Sequence, residues 1–107
     1  MFPLRVLVFR PGAAPAVEEM ANELEAMQAL VGGYLELVFL PDGYLAIANE
    51  EGVLQGLAPS VHIGEQVIVG TVFVAKIDPA DPENFAGLTD HDVETVQAWV
   101  HPLTLAS

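Results

Sequence analysis

The segment VGGYLELVFLPDGYLAIANEEG, residues 31–52, decides the fold of this chain, because it holds two strand-like apolar runs separated by a turn. In residues 34–40, successive side chains alternate between the two faces of an extended strand. The Pro-Asp-Gly sequence at 41–43 is a turn signal, since proline fixes its φ angle and glycine accepts a positive one. Residues 44–49 then return as an antiparallel strand. The segment predicts a β-hairpin that ends in the sequence Asn-Glu-Glu-Gly at 49–52, the NEEG turn.

The sequence before the hairpin allows two interpretations that differ in where the first helix begins. Residues Leu4–Phe9 are mostly β-branched and aromatic or aliphatic, which predicts a first strand. In one interpretation, an apolar stripe at helical spacing forms a single long helix; its members are Val17, Met20, Leu24, Met27 and Val31. In the other, Ala16–Met20 is a second strand and Asn22 caps a shorter helix. Both interpretations end the helix at the glycine pair 32–33, where left-handed backbone geometry costs little.

Residues 66–77, QVIVGTVFVAKI, are apolar on both faces and predict one central strand that is covered from both sides. The segments before and after this strand show no regular spacing of apolar residues. Residues 53–65 are punctuated by glycine and proline, and residues 78–84 are acidic and contain two prolines. We expect both stretches to be loops.

The C-terminal part of the chain predicts a second helix over residues 88–101. Thr89 and Asp92 have the spacing of a capping box, an apolar stripe follows them, and Pro102 ends the helical pattern. Together these elements predict a single α+β domain spanning residues 1–107. Its expected architecture is a mostly antiparallel β-sheet of four to five strands with two helices packed on it.

The composition favours an oligomer. Hydrophobic residues make up 52% of the 107 residues and charged residues only 17%, against about 25% charged in ordinary globular domains. A small domain has little interior for so large an apolar fraction, and a subunit interface is the natural place for the remainder. We therefore expect a homo-oligomer.

The charge balance narrows the range of partners. Fifteen Asp and Glu residues face three Lys and Arg residues, which gives a formal net charge of −12. Such a surface repels phosphate backbones and anionic lipid, so we expect no direct nucleic-acid binding and no membrane association, whereas a basic protein partner fits it. The chain has no cysteine, which excludes disulfides and thiolate chemistry. Its first residues do not resemble a signal peptide, so a cytoplasmic location is the default expectation.

Chemistry-bearing side chains are few. Glu50 and Glu51 are neighbours in sequence and point in different directions, whereas general acid–base pairs converge on one bond. A solvated turn, a recognition loop and a catalytic loop all remain open interpretations of the NEEG turn. His91 and His101 would lie roughly 15 Å apart along the predicted helix, too far to share one metal ion. We predict no metal site, no cofactor and no catalytic residue.

The few basic side chains are a second candidate for a ligand-binding site. Arg5, Arg10 and Lys76 lie in or beside predicted strands that can be neighbours in a sheet. Gathered together, they would form a positive pocket for a small anionic ligand; the alternative is that each pairs with a nearby carboxylate. The candidate ligand-binding residues are Arg10, Asn49, Glu50, Glu51, Gly52 and Lys76.

The order of these motifs resembles the family known as domain of unknown function DUF3846. The shared features are a first strand ending in Pro-Gly, a helix that ends in VGGY, the NEEG turn, an IVGTVFV strand and an LTDHDVE helix start. Proteins of that family are small and are encoded by bacteria, plasmids and phages. The resemblance covers roughly residues 4–96 and favours the interpretation with a second strand and a shorter first helix. The chain departs from the family pattern at 57–62, LAPSVH, where such proteins carry a Pro-Asn-Arg segment.

The resemblance and the composition together suggest a small non-enzymatic binding protein of a phage or mobile element, with a role in counter-defence. One hypothesis is that it sequesters a small nucleotide-like signal at a subunit interface. The alternative is an acidic protein that binds a basic host protein in place of nucleic acid. A third hypothesis is a small hydrolase that uses Glu50 or Glu51.

Overall fold

The computed structural model of the chain describes residues 3–103, which form nine strands and two helices. The strands are β1 Leu4–Phe9, β2 Ala16–Met20, β3 Leu35–Phe39, β4 Tyr44–Asn49, β5 Pro59–Ile63, β6 Gln66–Val69, β7 Val72–Asp78, β8 Asp81–Ala86 and β9 Val100–Pro102. The helices are α1 Leu24–Val31 and α2 Asp90–Val96. Neither helix of this part of the chain is long and apolar enough to cross a membrane.

The strands form two antiparallel sheets. The larger sheet has the order β2-β1-β7-β4-β3, and β8 pairs with the C-terminal part of β7. The smaller sheet has the order β6-β5-β9. The expected α+β class with a mostly antiparallel sheet is confirmed, but the expected single sheet of four to five strands is wrong, because six strands form the first sheet and three more form a second.

The central strands of the larger sheet are buried on both faces. On one face, Ile47 and Phe73 pack in a cluster with Met27 of α1. On the other face, Val74 packs in a cluster that includes Val61 of β5 and Val96 of α2. The second sheet and the helices thus cover much of the larger sheet within one chain, so the apolar composition does not by itself require a second copy.

The hairpin at the centre of the sequence is confirmed. Strands β3 and β4 pair in register from Leu35 opposite Asn49 to Phe39 opposite Leu45. A short 3-10 turn joins them, and Gly43 in that turn has a φ of 81°, which glycine accepts without strain.

The shorter first helix is also confirmed, since β2 precedes it and α1 begins at Leu24. Gly32 ends the helix with a φ of 85° and donates its N–H to the carbonyl of Gln28. The predicted cap at Asn22 is wrong. The N-cap residue is Glu23, which makes no side-chain cap hydrogen bond, and the Asn22 amide donates instead to the Phe85 carbonyl at 3.3 Å.

The prediction of one central strand over residues 66–77 is wrong. The chain divides at Gly70, whose φ of 78° breaks the extended backbone, so β6 joins the smaller sheet and β7 the larger one. Both strands contribute buried side chains to the core between the sheets, which explains the unbroken apolar run. The two predicted loops also contain strands, β5 and β8, because pairing with a neighbour decides the conformation of weakly patterned segments.

The predicted helix over residues 88–101 is too long. Its capping box is confirmed, with Thr89 and Asp92 each bonding the other's backbone N–H. The helix ends at Val96, and the chain extends into β9, which pairs with β5. Val96 and Val100 have helical spacing and are both fully buried, so the apolar pattern does not distinguish a continuing helix from a helix followed by a strand.

Candidate functional site

A groove with a cavity volume of about 400 Å³ lies between the start of α1, β3 and β8. The helix has eight residues, about 12 Å at 1.5 Å per residue, so it is too short to cover the whole face of a six-stranded sheet. We call this feature the α1–β3 groove. It is lined by the apolar residues Leu24, Met27, Leu35, Leu37 and Phe85 and by the polar residues Asn22, Glu23, Glu83 and Asn84.

Large apolar side chains are exposed in and beside this groove. Leu24 is 60% exposed at the start of α1, and Leu37 is 44% exposed on β3. Phe39, the last residue of β3, is 70% exposed. Leu37 and Phe39 stand opposite Ile47 and Leu45 in the hairpin and share their face of the sheet, the one that carries α1. Large exposed apolar side chains that gather around one groove are typical of interaction sites on small domains.

The backbone edge of β3 adjoins the same groove. Among the strands of residues 3–103, β3 pairs only with β4, so its outer edge has no strand partner there. The unpaired N–H and C=O groups of an edge strand accept an additional strand from another chain. The groove therefore combines an apolar surface with a backbone edge.

The chain's cations do not gather into one positive pocket, and each pairs with a carboxylate. Arg10 pairs with Glu18 across the hairpin of β1 and β2. Lys76 pairs with Asp92 of α2 at 2.7 Å, on another part of the sheet. The predicted candidates Arg10 and Lys76 are thus bound to separate carboxylates.

Arg5, the third cation, also contacts the N-terminal end of α2. Arg5 donates to the carboxylate of Asp90 and to the carbonyl of Leu88, just before the helix. Lys76 and Arg5 therefore both hold the N-terminal end of α2 on the larger sheet.

The NEEG turn has a structural explanation that centres on Asn49. This side chain is 4% exposed. Its Nδ2 donates to the Val31 carbonyl at 3.2 Å and to Oε1 of Gln55 at 3.0 Å, and its Oδ1 accepts the N–H of Glu51 at 2.8 Å. Because Val31 is the last residue of α1, Asn49 connects the end of the helix to the turn.

The remaining residues of the NEEG turn divide into a packed glycine and two exposed acids. A Cβ atom on Gly52 would lie 2.8 Å from Cγ2 of Val69, so the turn packs against β6 too closely for a side chain. Glu50 and Glu51 are both exposed. Glu50 borders a cavity of about 100 Å³ together with Glu36, and that cavity is small for a substrate.

A buried polar network fastens α2 to the sheet. Asp92 accepts the hydroxyl of Tyr44 on one oxygen, and Lys76 and the backbone N–H of Thr89 on the other. Burial alone would raise the pKa of Asp92, but the hydrogen bonds from Lys76, Thr89 and Tyr44 together hold it well below its usual range. The hydrogen bond to Asp92, with burial second, raises the pKa of Tyr44 to about 12. Among the described residues, no buried side-chain nitrogen or oxygen lacks a hydrogen-bond partner, so this cluster is fully bonded where it is buried, which indicates an anchoring role.

Sequence reasoning missed a pair of histidines. His62 on β5 stands directly opposite His101 on β9, and their rings stack with centroids 4.9 Å apart. Local patterns could not reveal this pair, because one residue fell in a predicted loop and the other at the end of a predicted helix. Within residues 3–103, no group of three or more His, Cys, Asp and Glu side chains is arranged to hold a metal ion.

The family model for the domain of unknown function DUF3846 matches residues 4–101. The chain belongs to the DUF3846 family. No curated protein and no solved structure matches it. The matched span begins with β1 and reaches β9, so in this DUF3846 member the family domain includes both sheets and both helices. Two of the motifs that suggested the family, VGGY and NEEG, meet in space, because Asn49 lies against Gly33 and bonds the carbonyl of Val31.

Proposed function

We propose that this chain is a non-enzymatic protein-binding module whose α1–β3 groove takes an apolar side chain from a basic segment of a partner protein. The observation that carries the proposal is the coincidence of exposed apolar side chains and an acidic rim in one groove. An apolar anchor would be buried against Leu24 and Leu37, and flanking Lys or Arg side chains would face Glu23 and Glu83.

The edge of β3 supports a partner in an extended conformation. A segment added beside β3 would form backbone hydrogen bonds along the strand and direct alternate side chains toward the face that carries the groove. Backbone pairing would supply affinity without sequence preference, whereas the groove and its acidic rim would select the apolar and basic residues.

Charge favours a foreign partner over a second copy as the occupant of this groove. All three Lys and Arg side chains of the chain are in ion pairs, and none of them is free to face Glu23 or Glu83 of another molecule. Two copies, each with a formal charge of −12, also repel each other at long range. A basic partner supplies free Lys and Arg side chains to face Glu23 and Glu83, and it is attracted at long range instead of repelled.

The other expected functions have less support. Sequestration of a nucleotide-like signal by Arg10 and Lys76 would require both cations to exchange their carboxylate partners for phosphate. Hydrolysis by Glu50 or Glu51 would require a substrate cavity beside an exposed turn. We propose counter-defence in a phage or mobile element as the setting, with the acidic protein occupying a basic host protein that binds nucleic acid.

A homo-oligomer is the second candidate. The observation that favours it is the free edge of β3 with Phe39 exposed at its end, which would let two copies pair edge to edge. Because both copies are acidic, such pairing should strengthen as salt screens their repulsion. Light scattering across a salt series tests this: a mass that rises with salt supports edge pairing, and a monomer throughout rejects it.

A peptide panel tests the main proposal. Each test peptide carries one Leu, Met or Phe between Lys and Arg residues. One set of control peptides keeps the apolar residue and has acidic flanking residues. A second set keeps the basic flanking residues and has Ser in place of the apolar residue. Fluorescence anisotropy should show micromolar binding of the basic apolar peptides, weakening with salt, and little binding of either control set. If the Ser peptides bind as tightly as the apolar ones, attraction between opposite charges is sufficient and the groove proposal fails.

A further inference from the structure

The histidine pair on the smaller sheet has the placement of a chelating site. His62 and His101 are directly opposite each other on antiparallel strands, so their Cβ atoms are on the same face and about 5 Å apart. Their neighbours Val61 and Val100 are fully buried in the core. Because side chains alternate along a strand, the two imidazoles point to the outer face of the sheet.

One of the two rings is held in a defined orientation. Nδ1 of His62 lies 3.2 Å from the carbonyl oxygen of Gly64. A carbonyl accepts hydrogen bonds only, so this contact favours the tautomer that carries the proton on Nδ1 and leaves the lone pair of Nε2 free. Metal-binding histidines are oriented in the same way, by donating their second nitrogen to a carbonyl or carboxylate.

The separation of the rings fits one metal ion between them. Two nitrogens bound at 2.0–2.1 Å to a tetrahedral ion are roughly 3.4 Å apart. The ring centroids are 4.9 Å apart with 29° between the ring planes. With His62 held by Gly64, rotation of the His101 ring about its own side-chain torsions should bring one of its nitrogens close to that distance from Nε2 of His62, with the strands in place. The exposed position of His101 leaves room for this rotation.

The surroundings favour a cation with additional open positions. The formal net charge of −12 attracts cations to the whole molecule. The two rings also border a cavity of about 360 Å³ that includes Phe39 and Trp99, where water or a small ligand can complete the coordination.

We propose that His62 and His101 form a two-histidine site for a divalent transition-metal ion of the Ni²⁺, Cu²⁺ or Zn²⁺ class. Imidazole nitrogen suits these ions, whereas Mg²⁺ and Ca²⁺ require oxygen ligands. The remaining coordination positions are open to solvent and to ligands in the adjacent cavity. The proposal is independent of partner binding at the α1–β3 groove, which uses other residues.

Trp99 supplies a direct measurement, because it is the only tryptophan of the chain and borders the same cavity. Ni²⁺ or Cu²⁺ is titrated into chelator-treated protein in millimolar Mg²⁺, which saturates weak carboxylate sites. We expect quenching of Trp99 fluorescence that saturates at one ion per chain with a micromolar dissociation constant. Calorimetry with Zn²⁺, which does not quench, should give the same stoichiometry.

The variants His62→Asn and His101→Asn should each weaken binding by about tenfold or more, since each removes one of two ligands. The matched control is His91→Asn, because His91 is exposed on α2 and should not contribute to the site. Circular dichroism checks that all three variants keep the fold, as expected for residues outside the core.

A second measurement needs no substitution. In the wild-type protein, substoichiometric Ni²⁺ or Cu²⁺ should broaden the ring proton signals of His62 and His101 together while the signals of His91 stay sharp. The proposal is overturned if all three histidines broaden alike, if binding is unchanged in the His62→Asn and His101→Asn variants, or if no stoichiometric binding occurs below millimolar metal.

Discussion

Asn49 lies so close to Gly33 that a Cβ atom on the glycine would be 3.0 Å from the side-chain amide of the asparagine. The same amide donates a hydrogen bond to the carbonyl of Val31, the last residue of α1. The glycine pair and the NEEG turn are therefore two halves of one contact, which fixes the helix at its C-terminal end. Because α1 forms one wall of the α1–β3 groove, this contact also positions the groove.

Removing the Asn49 side chain should destabilise the fold. Asn49→Ala loses three hydrogen bonds and leaves the Val31 carbonyl without its side-chain partner, so we expect a loss of about 2–3 kcal/mol in the free energy of unfolding. Urea denaturation provides the measurement. Glu51→Gln is the control, since it keeps the backbone N–H that bonds Asn49 and changes only an exposed side chain.

The contact between Gly33 and Asn49 should appear as an energetic coupling. Gly33→Ala should destabilise the wild-type protein because the new methyl group crowds the Asn49 amide, and it should cost less in the Asn49→Ala background. Additive effects of the two substitutions would show that the close approach has no energetic consequence.

The Asp92 network should account for a large part of the stability of α2. Asp92→Ala removes the capping box and leaves Lys76 and the Tyr44 hydroxyl without their acceptor, so we expect a loss of about 3 kcal/mol. Tyr44→Phe removes one hydrogen bond and should cost about 1 kcal/mol. Glu94→Gln, at an exposed carboxylate on the same helix, is the matched control and should change the urea midpoint little.

The same carboxylate should give the fold a measurable acid dependence. The pKa of Asp92 is lower in the folded state than in the unfolded state. The ionised carboxylate therefore contributes its full share to the free energy of unfolding above the pKa of an unfolded aspartate, about 3.9, and this share decreases as the pH falls toward the pKa of Asp92 in the folded protein. The difference in unfolding free energy between the wild type and Asp92→Asn should be constant from about pH 7 to about pH 5 and shrink below about pH 4. A difference that is the same at pH 7 and pH 3 would contradict the lowered pKa.

The sequence predicts those elements whose signals are local. The turn at Gly43, the helix end at Gly32 and the capping box of Thr89 and Asp92 each depend on residues within four positions, and the structure has all three. Hydrophobic alternation likewise predicted the hairpin of β3 and β4.

The second sheet depends on contacts that local patterns do not contain. Strand β5 pairs with β9 across a separation of about forty residues, and neither segment has a strong apolar alternation of its own. The pairing of His62 with His101 follows from that register and from nothing nearer in the sequence. The groove was missed for a related reason, since it exists only because α1 is short and β8 pairs with β7.

Partner binding at the α1–β3 groove is tested most directly by two charge-matched double variants. Glu23→Lys with Glu83→Lys reverses the rim of the groove, whereas Glu50→Lys with Glu51→Lys makes the same change of net charge at the NEEG turn. The affinity of each for a basic apolar peptide is measured by fluorescence anisotropy at physiological salt. The groove variant should bind about tenfold or more weakly, a difference of about 1.4 kcal/mol, and the turn variant should stay close to the wild type. An equal loss in both variants would show that net charge alone attracts the peptide and would contradict the groove as its binding site.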